Sequence, residues 1–172
     1  MPPRLDQPIE KRTYAVLVDN EPGVLARVVG LFAARGYNIE SLTVAETDAQ
    51  RHVSRITIVT SGTALILDQI RAQLDRMVSV RVVHDVSRDP AGVERELALI
   101  KVRGSGAERV EALRVADIFR ARVIDTTHES FVFEVTGASS KIDKFLDLMR
   151  PLGLVELSRT GVLSITRGVD EA

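Results

Sequence analysis

The sequence contains no cysteine and no tryptophan, and only 4% of its 172 residues are aromatic. Without cysteine, disulfide bonds, thiolate metal ligands and cysteine nucleophiles are all excluded. The few aromatic residues argue against a platform on which the bases of single-stranded nucleic acid would stack. No apolar run reaches membrane-spanning length, and the first ten residues lack the apolar core of a signal peptide. These absences favour a cytoplasmic protein.

Neither positive nor negative charge is in excess. The 23 basic and 24 acidic residues give a formal net charge of -1, and the basic residues are dispersed along the chain. This distribution lacks the basic patch by which proteins bind nucleic acid or an anionic membrane. A hydrophobic content of 45% with 27% charged residues is ordinary for a soluble globular protein. The length allows one large domain or two small ones.

The first half of the chain alternates between strand and helix patterns. Tyr14, Val16 and Val18 recur at the strand period of two, and the apolar spacing over 24–35 predicts a helix that ends at Gly36. Further strands are predicted at 37–47, 52–60 and 80–86. A second helix precedes the last of these strands and is capped by Ser61 or Thr63. The resulting order, β-α-β-β-α-β, is that of the ferredoxin-like arrangement.

The second half repeats this order without repeating the residues. Strands are predicted at 96–103, 122–125, 130–136 and 154–166, the last broken near Gly161, and a helix is predicted at 107–121. Ser140 is expected to cap the final helix, with Asp143 in the capping-box position. The predicted fold is therefore α+β, with two ferredoxin-like βαββαβ domains whose antiparallel sheets carry helices on one face. Its parts are a flexible arm (1–11), a first domain (12–87), a linker (88–94) and a second domain (95–172).

No catalytic or metal-binding group emerges from the sequence. His52, His84 and His128 are far apart, and none has metal-ligand spacing to another histidine or carboxylate. The run 104–106, Gly-Ser-Gly, lacks both the third glycine of a dinucleotide fingerprint and the Lys-Ser/Thr of a P-loop. No G-x-S-x-G elbow supports a nucleophile. We therefore predict no catalytic residue and no metal site.

Asn20, Gly23 and Asn38 admit two interpretations. They can be a helix cap, a turn glycine and the polar start of a strand. Alternatively, they can bind a small anion, because the amides at the start of the first helix favour negative charge. We expect the turn after the first strand and the start of the second strand to lie at the same end of the domain. Edge strands paired across a two-fold axis would form an eight-stranded sheet and bring Asn38 towards the 20–23 loop of the other subunit.

The run 19–25, DNEPGVL, resembles the opening signature of an ACT domain, an amino-acid-sensing module of metabolic enzymes. The longer stretch 20–44 is closely similar to the small regulatory subunits of acetolactate (acetohydroxyacid) synthase. The resemblance continues at 54–58, 93–97, 118–120 and 158–161, and so covers both domains and the linker. Asn20, Gly23 and Asn38 match the effector-binding positions of that family, whereas Pro22 occupies a variable position.

The resemblance implies a non-catalytic subunit that binds a separate catalytic subunit, raises its activity and confers feedback inhibition by valine. Thiamine diphosphate, magnesium and FAD are expected in the catalytic partner, with no cofactor in this chain. Valine is expected between the ACT domains of a homodimer. An ACT-type sensor of a different enzyme or of transcription is the alternative, although the chain has no helix-turn-helix and no basic face. The expected effector site comprises Asn20, Pro22, Gly23, Val24, Leu25, Asn38 and Ile39.

Overall fold

The computed structural model describes residues 8–169, which divide by their contacts into two units. The first unit comprises residues 8–93 together with 162–169, and the second comprises residues 94–161. The arm expected at 1–11 lies largely outside the described residues, although Glu10 and Lys11 belong to the first strand. The segment from 162 onward lies with the first unit, whereas the sequence had placed it with the second domain.

The first unit has the predicted order of strands and helices. Its elements are β1 (Glu10–Asp19), α1 (Val24–Arg35), β2 (Ser41–Asp48), β3 (Val53–Gly62), α2 (Ala64–Asp75) and β4 (Val80–Asp85). Helix α1 ends at Gly36, which adopts the left-handed conformation (φ 67°) that glycine reaches at little cost. Helix α2 is capped by the Thr63 hydroxyl, which accepts a hydrogen bond from Ile66 N (3.4 Å). Both helix boundaries confirm the sequence prediction.

The strands of the first sheet follow the order β2-β3-β1-β4, and neighbouring strands are antiparallel. Strands β1 and β2 therefore run in the same direction, since both are antiparallel to β3. One face of the sheet packs against both helices, and the Tyr14 hydroxyl donates to Leu67 O of α2 across this core (2.8 Å). The largest fully buried side chains of this core are Tyr14, Phe32, Ile56, Ile58, Leu67, Ile70 and Leu74.

The second unit repeats this design. Its elements are β5 (Gly92–Arg103), α3 (Gly106–Ile118), β6 (Arg122–Thr126), β7 (Ser130–Gly137), α4 (Ser139–Met149) and β8 (Leu154–Arg159). The strand order is β6-β7-β5-β8, whereas β9 (Leu163–Thr166) belongs to the first unit. The core combines sheet and helix residues, chiefly Ile100, Phe133, Ile142, Phe145 and Met149. The predicted fold class of two ferredoxin-like α+β domains is confirmed.

The start of α4 differs from the prediction. The helix begins at Ser139 with Ala138 in the N-cap position, and no side chain caps it. Asp143 instead accepts a hydrogen bond from Arg159 (2.7 Å), whose Nε and Nη2 hold the buried Glu96 carboxylate at 2.8 and 2.7 Å. The capping box predicted at Ser140 and Asp143 is therefore wrong, because a long-range ion pair between β5 and β8 recruits the carboxylate.

The expected linker is more structured than the sequence indicated, whereas the last strand has the predicted break. Only residues 89–91 separate β5 from the 3-10 turn at Val86–Arg88, and Asp89 Oδ1 accepts a hydrogen bond from Ala91 N (2.8 Å). The last strand divides into β8 and β9 around Gly161, as predicted, and φ at this glycine is 86°. None of the helices within residues 8–169 has the length and hydropathy needed to cross a membrane.

Candidate functional site

The turn between β1 and α1 is anchored on both sides. Asn20 N donates to His52 O (2.7 Å), and Asp19 N donates to Ser79 O (2.9 Å). The Asp19 carboxylate also accepts a hydrogen bond from Arg81 Nε (2.6 Å). The turn is thus tied to the β2–β3 connection and to the residue before β4. These contacts hold the start of α1 in one position relative to the sheet.

The start of α1 presents free backbone N–H groups. Gly23 occupies the N-cap position, and no side chain among the described residues caps the helix. The first turn also contains no acidic residue. Val24 N already donates to Glu21 O (3.3 Å), which leaves the amides of Leu25 and Ala26 as the available donors. Since the positive end of the helix dipole lies here, a carboxylate is the natural ligand.

Gly23 allows a ligand to approach these amides. Its φ of 84° is a left-handed conformation that favours glycine. A Cβ atom built at this position would have no atom within 4 Å, so the space in front of the turn is open. Pro22 is exposed beside it. The turn therefore combines free donors with unobstructed access.

Asn20 is oriented by a contact that the sequence analysis did not anticipate. Its Nδ2 donates to Glu46 Oε1 on β2 (3.0 Å). This contact leaves the Asn20 Oδ1 as an acceptor, which is the group an ammonium needs. Glu46 belongs to the polar run at the end of the predicted second strand, and no sequence signal distinguishes it from neighbouring surface residues. The contact places the turn next to edge strand β2.

Asn38 lies at the opposite end of the sheet from Asn20, so the expectation that one chain brings both to the same end is wrong. Strands β1 and β2 run in the same direction, and α1 must therefore return the chain to the other end before β2 begins. Strand β2 starts at Ser41 and passes Glu46 near the turn. At about 3.3 Å per residue, the strand covers roughly 16 Å between Ser41 and Glu46.

The remaining predicted site residues divide by their exposure. Val24 is buried in the core, so its side chain does not face a ligand at the turn. Leu25 is 40% exposed beside the free amides. Ile39 is partly buried against the core at the Asn38 end. The exposed Asn38 is held through its backbone, whose carbonyl oxygen accepts a hydrogen bond from Thr60 Oγ1 (2.6 Å).

Two family models match the chain, one for each half. Residues 15–82 match the model described as "AHAS small subunit-like ACT domain", and residues 95–168 match "Small subunit of acetolactate synthase". The chain belongs to the acetolactate synthase small-subunit family. The resemblance seen in the sequence is thereby confirmed.

Relatives in this family match over almost their whole length. The probable acetolactate synthase small subunit of Archaeoglobus fulgidus is 46% identical, over 92% of this chain and 98% of that protein. The isozyme 3 small subunit of Salmonella typhimurium is 45% identical, over 92% of this chain and 96% of that protein. The crystal structure of the acetolactate synthase small subunit from Thermotoga maritima superposes with a TM-score of 0.82. It is 36% identical and covers 94% of this chain and 99% of that one.

Two other candidates from the sequence, His84 and the Gly-Ser-Gly run, lie in a turn and at the start of a helix. His84 Nε2 lies 2.9 Å from Asp89 Oδ2 in the turn before β5. In the Gly-Ser-Gly run, Ser105 is the N-cap residue of α3 and Gly106 has φ 56°. Within residues 8–169 no group of three or more His, Asp or Glu side chains is placed to hold a metal ion.

Proposed function

We propose that this chain is the regulatory subunit of acetolactate synthase: it binds the catalytic large subunit, raises its activity and confers feedback inhibition by valine. Its membership of the small-subunit family across both halves of the chain supports the assignment to this enzyme. Thiamine diphosphate, magnesium and FAD then belong to the catalytic partner. The role of this chain in the reaction is control.

The observation that carries the effector proposal is the uncapped start of α1 beside an edge strand. Valine offers a carboxylate, an ammonium and a short branched side chain. The amides of Leu25 and Ala26 suit the carboxylate, and the Asn20 Oδ1 suits the ammonium. The exposed side chain of Leu25 can cover the isopropyl group, which contributes roughly 1.5–3 kcal/mol when fully buried.

A homodimer through β2 would complete this site. Strand β2 pairs only with β3 among the described strands, and Val44 is exposed in its middle. Antiparallel pairing of two β2 strands would place the start of one beside the end of the other. Asn38 and Ile39 of one copy would then approach the turn at Asn20 of the second copy. The separation of the two asparagines within one chain therefore favours a site shared between two chains.

Control of a partner enzyme requires valine to bind two arrangements of the complex with different affinity. A ligand held between two subunits meets this condition, because any change in their relative position alters its contacts. Leucine and isoleucine should be weaker effectors, by roughly the 1–3 kcal/mol with which an apolar pocket distinguishes one methylene.

Reconstitution with the purified catalytic large subunit tests the proposal. The chain should raise the rate of acetolactate formation, and valine should lower the rate only when the chain is present. A large subunit whose rate is unaffected by this chain would refute the assignment. Activation without valine inhibition would refute only the effector site.

A further inference from the structure

The face of the first sheet that lies away from helices α1 and α2 carries a half-buried arginine, Arg55, with unused donors. Arg55 on β3 alternates with Ile56, which belongs to the core, and so projects to the other face. Its Nε and Nη2 atoms are inaccessible to solvent and have no hydrogen-bond partner within residues 8–169. Arg55 aligns with Leu17 of β1 and Ala45 of β2, neither of which can accept a side-chain hydrogen bond.

The same two nitrogens bind carboxylates elsewhere in this chain. Arg159 holds Glu96 with its Nε and Nη2 at 2.8 and 2.7 Å. Arg114 holds Glu111 with the same pair at 2.8 and 2.6 Å. These two atoms form the planar edge of the guanidinium that fits both oxygens of a carboxylate. In Arg55 this edge is free.

The unpaired nitrogen atoms of Arg55 are energetically unfavourable as they stand. A guanidinium stays charged in proteins, and burying two of its nitrogen atoms without a hydrogen-bond partner is costly. Burial lowers the pKa of Arg55 from its ordinary value. A bound anion would remove this penalty by occupying the free edge.

A second unused polar group lies at the same place. Ser164 of β9 has a buried hydroxyl without a hydrogen-bond partner in the described part of the chain. Arg55 and Ser164 line one cavity of about 150 Å³. Its other walls are mainly the hydroxyl-bearing Thr47 and Thr57 and the apolar Ala45 and Leu163.

The size and lining of the cavity indicate the class of ligand. A single water needs only about 10–15 Å³ on the same measure, so the cavity has room for a larger ligand. A carboxylate with a short aliphatic tail fits this volume and would contact both the polar and the apolar walls. Phosphate would place additional charged oxygens against Ala45 and Leu163, which offer them no hydrogen bond.

We propose that Arg55 and Ser164 form a binding site for a small monocarboxylate, separate from the proposed valine site. The carboxylate accepts hydrogen bonds from Arg55 Nε and Nη2, and the Ser164 hydroxyl supplies a further donor. The two sites lie on different faces of the sheet. Asn20 contacts Glu46, whereas the adjacent Ala45 faces Arg55 on the other side of β2.

Isobutyrate is a suitable probe, and neutral isobutyramide is its matched control. Titration into the full chain, followed by calorimetry and by the Arg Nε–H resonances, should give saturable binding of isobutyrate with a shift of the Arg55 signal. Isobutyramide and inorganic phosphate should bind at least tenfold more weakly. Equal binding of isobutyramide or phosphate, or no binding of isobutyrate, would overturn the proposal.

Three variants locate the site. Arg55→Lys keeps the charge but removes the planar edge and should weaken isobutyrate binding at least tenfold, while Ser164→Ala should weaken it roughly fivefold. Arg114→Lys, on the surface of α3, should leave it unchanged. Circular dichroism checks that each variant is folded. Isobutyrate affinities equal to wild type in Arg55→Lys and Ser164→Ala would contradict the proposal.

Two further measurements distinguish this site from the proposed valine site and from a contact with an acidic side chain of the catalytic large subunit. Valine affinity should be the same in Arg55→Lys as in wild type, so that failure of the valine site and failure of this site are distinguishable. If Arg55→Lys weakens binding of the catalytic large subunit while isobutyrate does not bind wild type, an acidic side chain of that protein supplies the anion. The small-molecule proposal would then be wrong.

Discussion

Replacing Gly23 by aspartate should abolish valine binding without unfolding the protein. The backbone at this position has φ 84°, which costs a residue other than glycine about 1–2 kcal/mol. The added Cβ meets no other atom within 4 Å, so no further clash adds to this backbone cost. An aspartate at this position also places a negative charge at the positive end of the helix dipole and can return up to about 1 kcal/mol. The free energy of unfolding should therefore change by no more than about 1 kcal/mol.

The effect on binding should be much larger. The aspartate carboxylate occupies the amides of Leu25 and Ala26 that the valine carboxylate needs, and it repels a second negative charge. Hydrogen bonds to a charged group contribute about 1.5–3 kcal/mol, which corresponds to roughly a 10- to 150-fold loss of affinity. The repulsion adds to this loss.

Gly23→Ala is the matched control, because it imposes the same backbone strain without a charge. Calorimetry with valine and inhibition of the reconstituted enzyme should show near-complete loss in Gly23→Asp and only a modest loss in Gly23→Ala. Activation of the large subunit should survive in both. If the two variants bind valine equally well, the amides at the start of α1 do not hold the carboxylate.

Three other changes test separate parts of the account. Asn38→Asp should abolish valine inhibition but not activation, because its charge would face the ligand carboxylate; inhibition equal to wild type would exclude Asn38 from the site. Glu96→Gln should destabilise the second unit by about 1.5–3 kcal/mol at pH 7, because the buried carboxylate loses its charge-assisted hydrogen bonds with Arg159, as measured by denaturant unfolding. Leu74→Ala should cost about 3 kcal/mol because Leu74 is fully buried, whereas Leu65→Ala, at a 62% exposed position, should stay within about 0.5 kcal/mol. Equal unfolding free energies for the two leucine variants would contradict the assigned core.

The pH dependence of the Glu96 contribution follows from its surroundings. Burial raises the pKa of Glu96, but hydrogen bonds from Arg159 and Ser139 outweigh burial, so the pKa lies below the usual value. The stabilisation is then fully present above the unfolded carboxyl pKa of about 4.3. It is lost as the pH falls through the lower folded value. The stability difference between wild type and Glu96→Gln should accordingly narrow in acid.

The order of strands and helices could be predicted because local sequence patterns determine it. The alternation at Tyr14, Val16 and Val18 and the stop at Gly36 depend on nearby residues, and both were confirmed. The alternation of apolar residues did not predict which side chains of β4 face the core, because pairing with β1 changes the register. A bulge between Leu17 and Val18 shifts the register with β4, so that Val80 and Val83 both face the core although they are three residues apart, while Val82 is exposed.

The arrangement of the candidate site could be predicted only in part. The glycine at 23 and the free amides follow from the turn motif and from helix geometry. The contact of Asn20 with Glu46 joins residues far apart in sequence, and no local pattern encodes it. The opposite placement of Asn38 follows from the parallel direction of β1 and β2, which the β-α-β order already implied. The unused edge of Arg55 could not be predicted from sequence, since it depends on which neighbours fail to reach it.

The central claim is that valine binds between the Gly23 turn of one subunit and Asn38 of the other. Mixing Gly23→Asp with Asn38→Asp tests it directly, because a heterodimer of these two inactive variants retains one site in which both residues are wild type. Random reassortment makes about half of the dimers mixed, and each mixed dimer has one intact site out of two. Calorimetry of the mixture should therefore recover about a quarter of the wild-type valine sites at wild-type affinity. No recovered binding, although the subunits exchange, would show that valine does not bind between the two subunits.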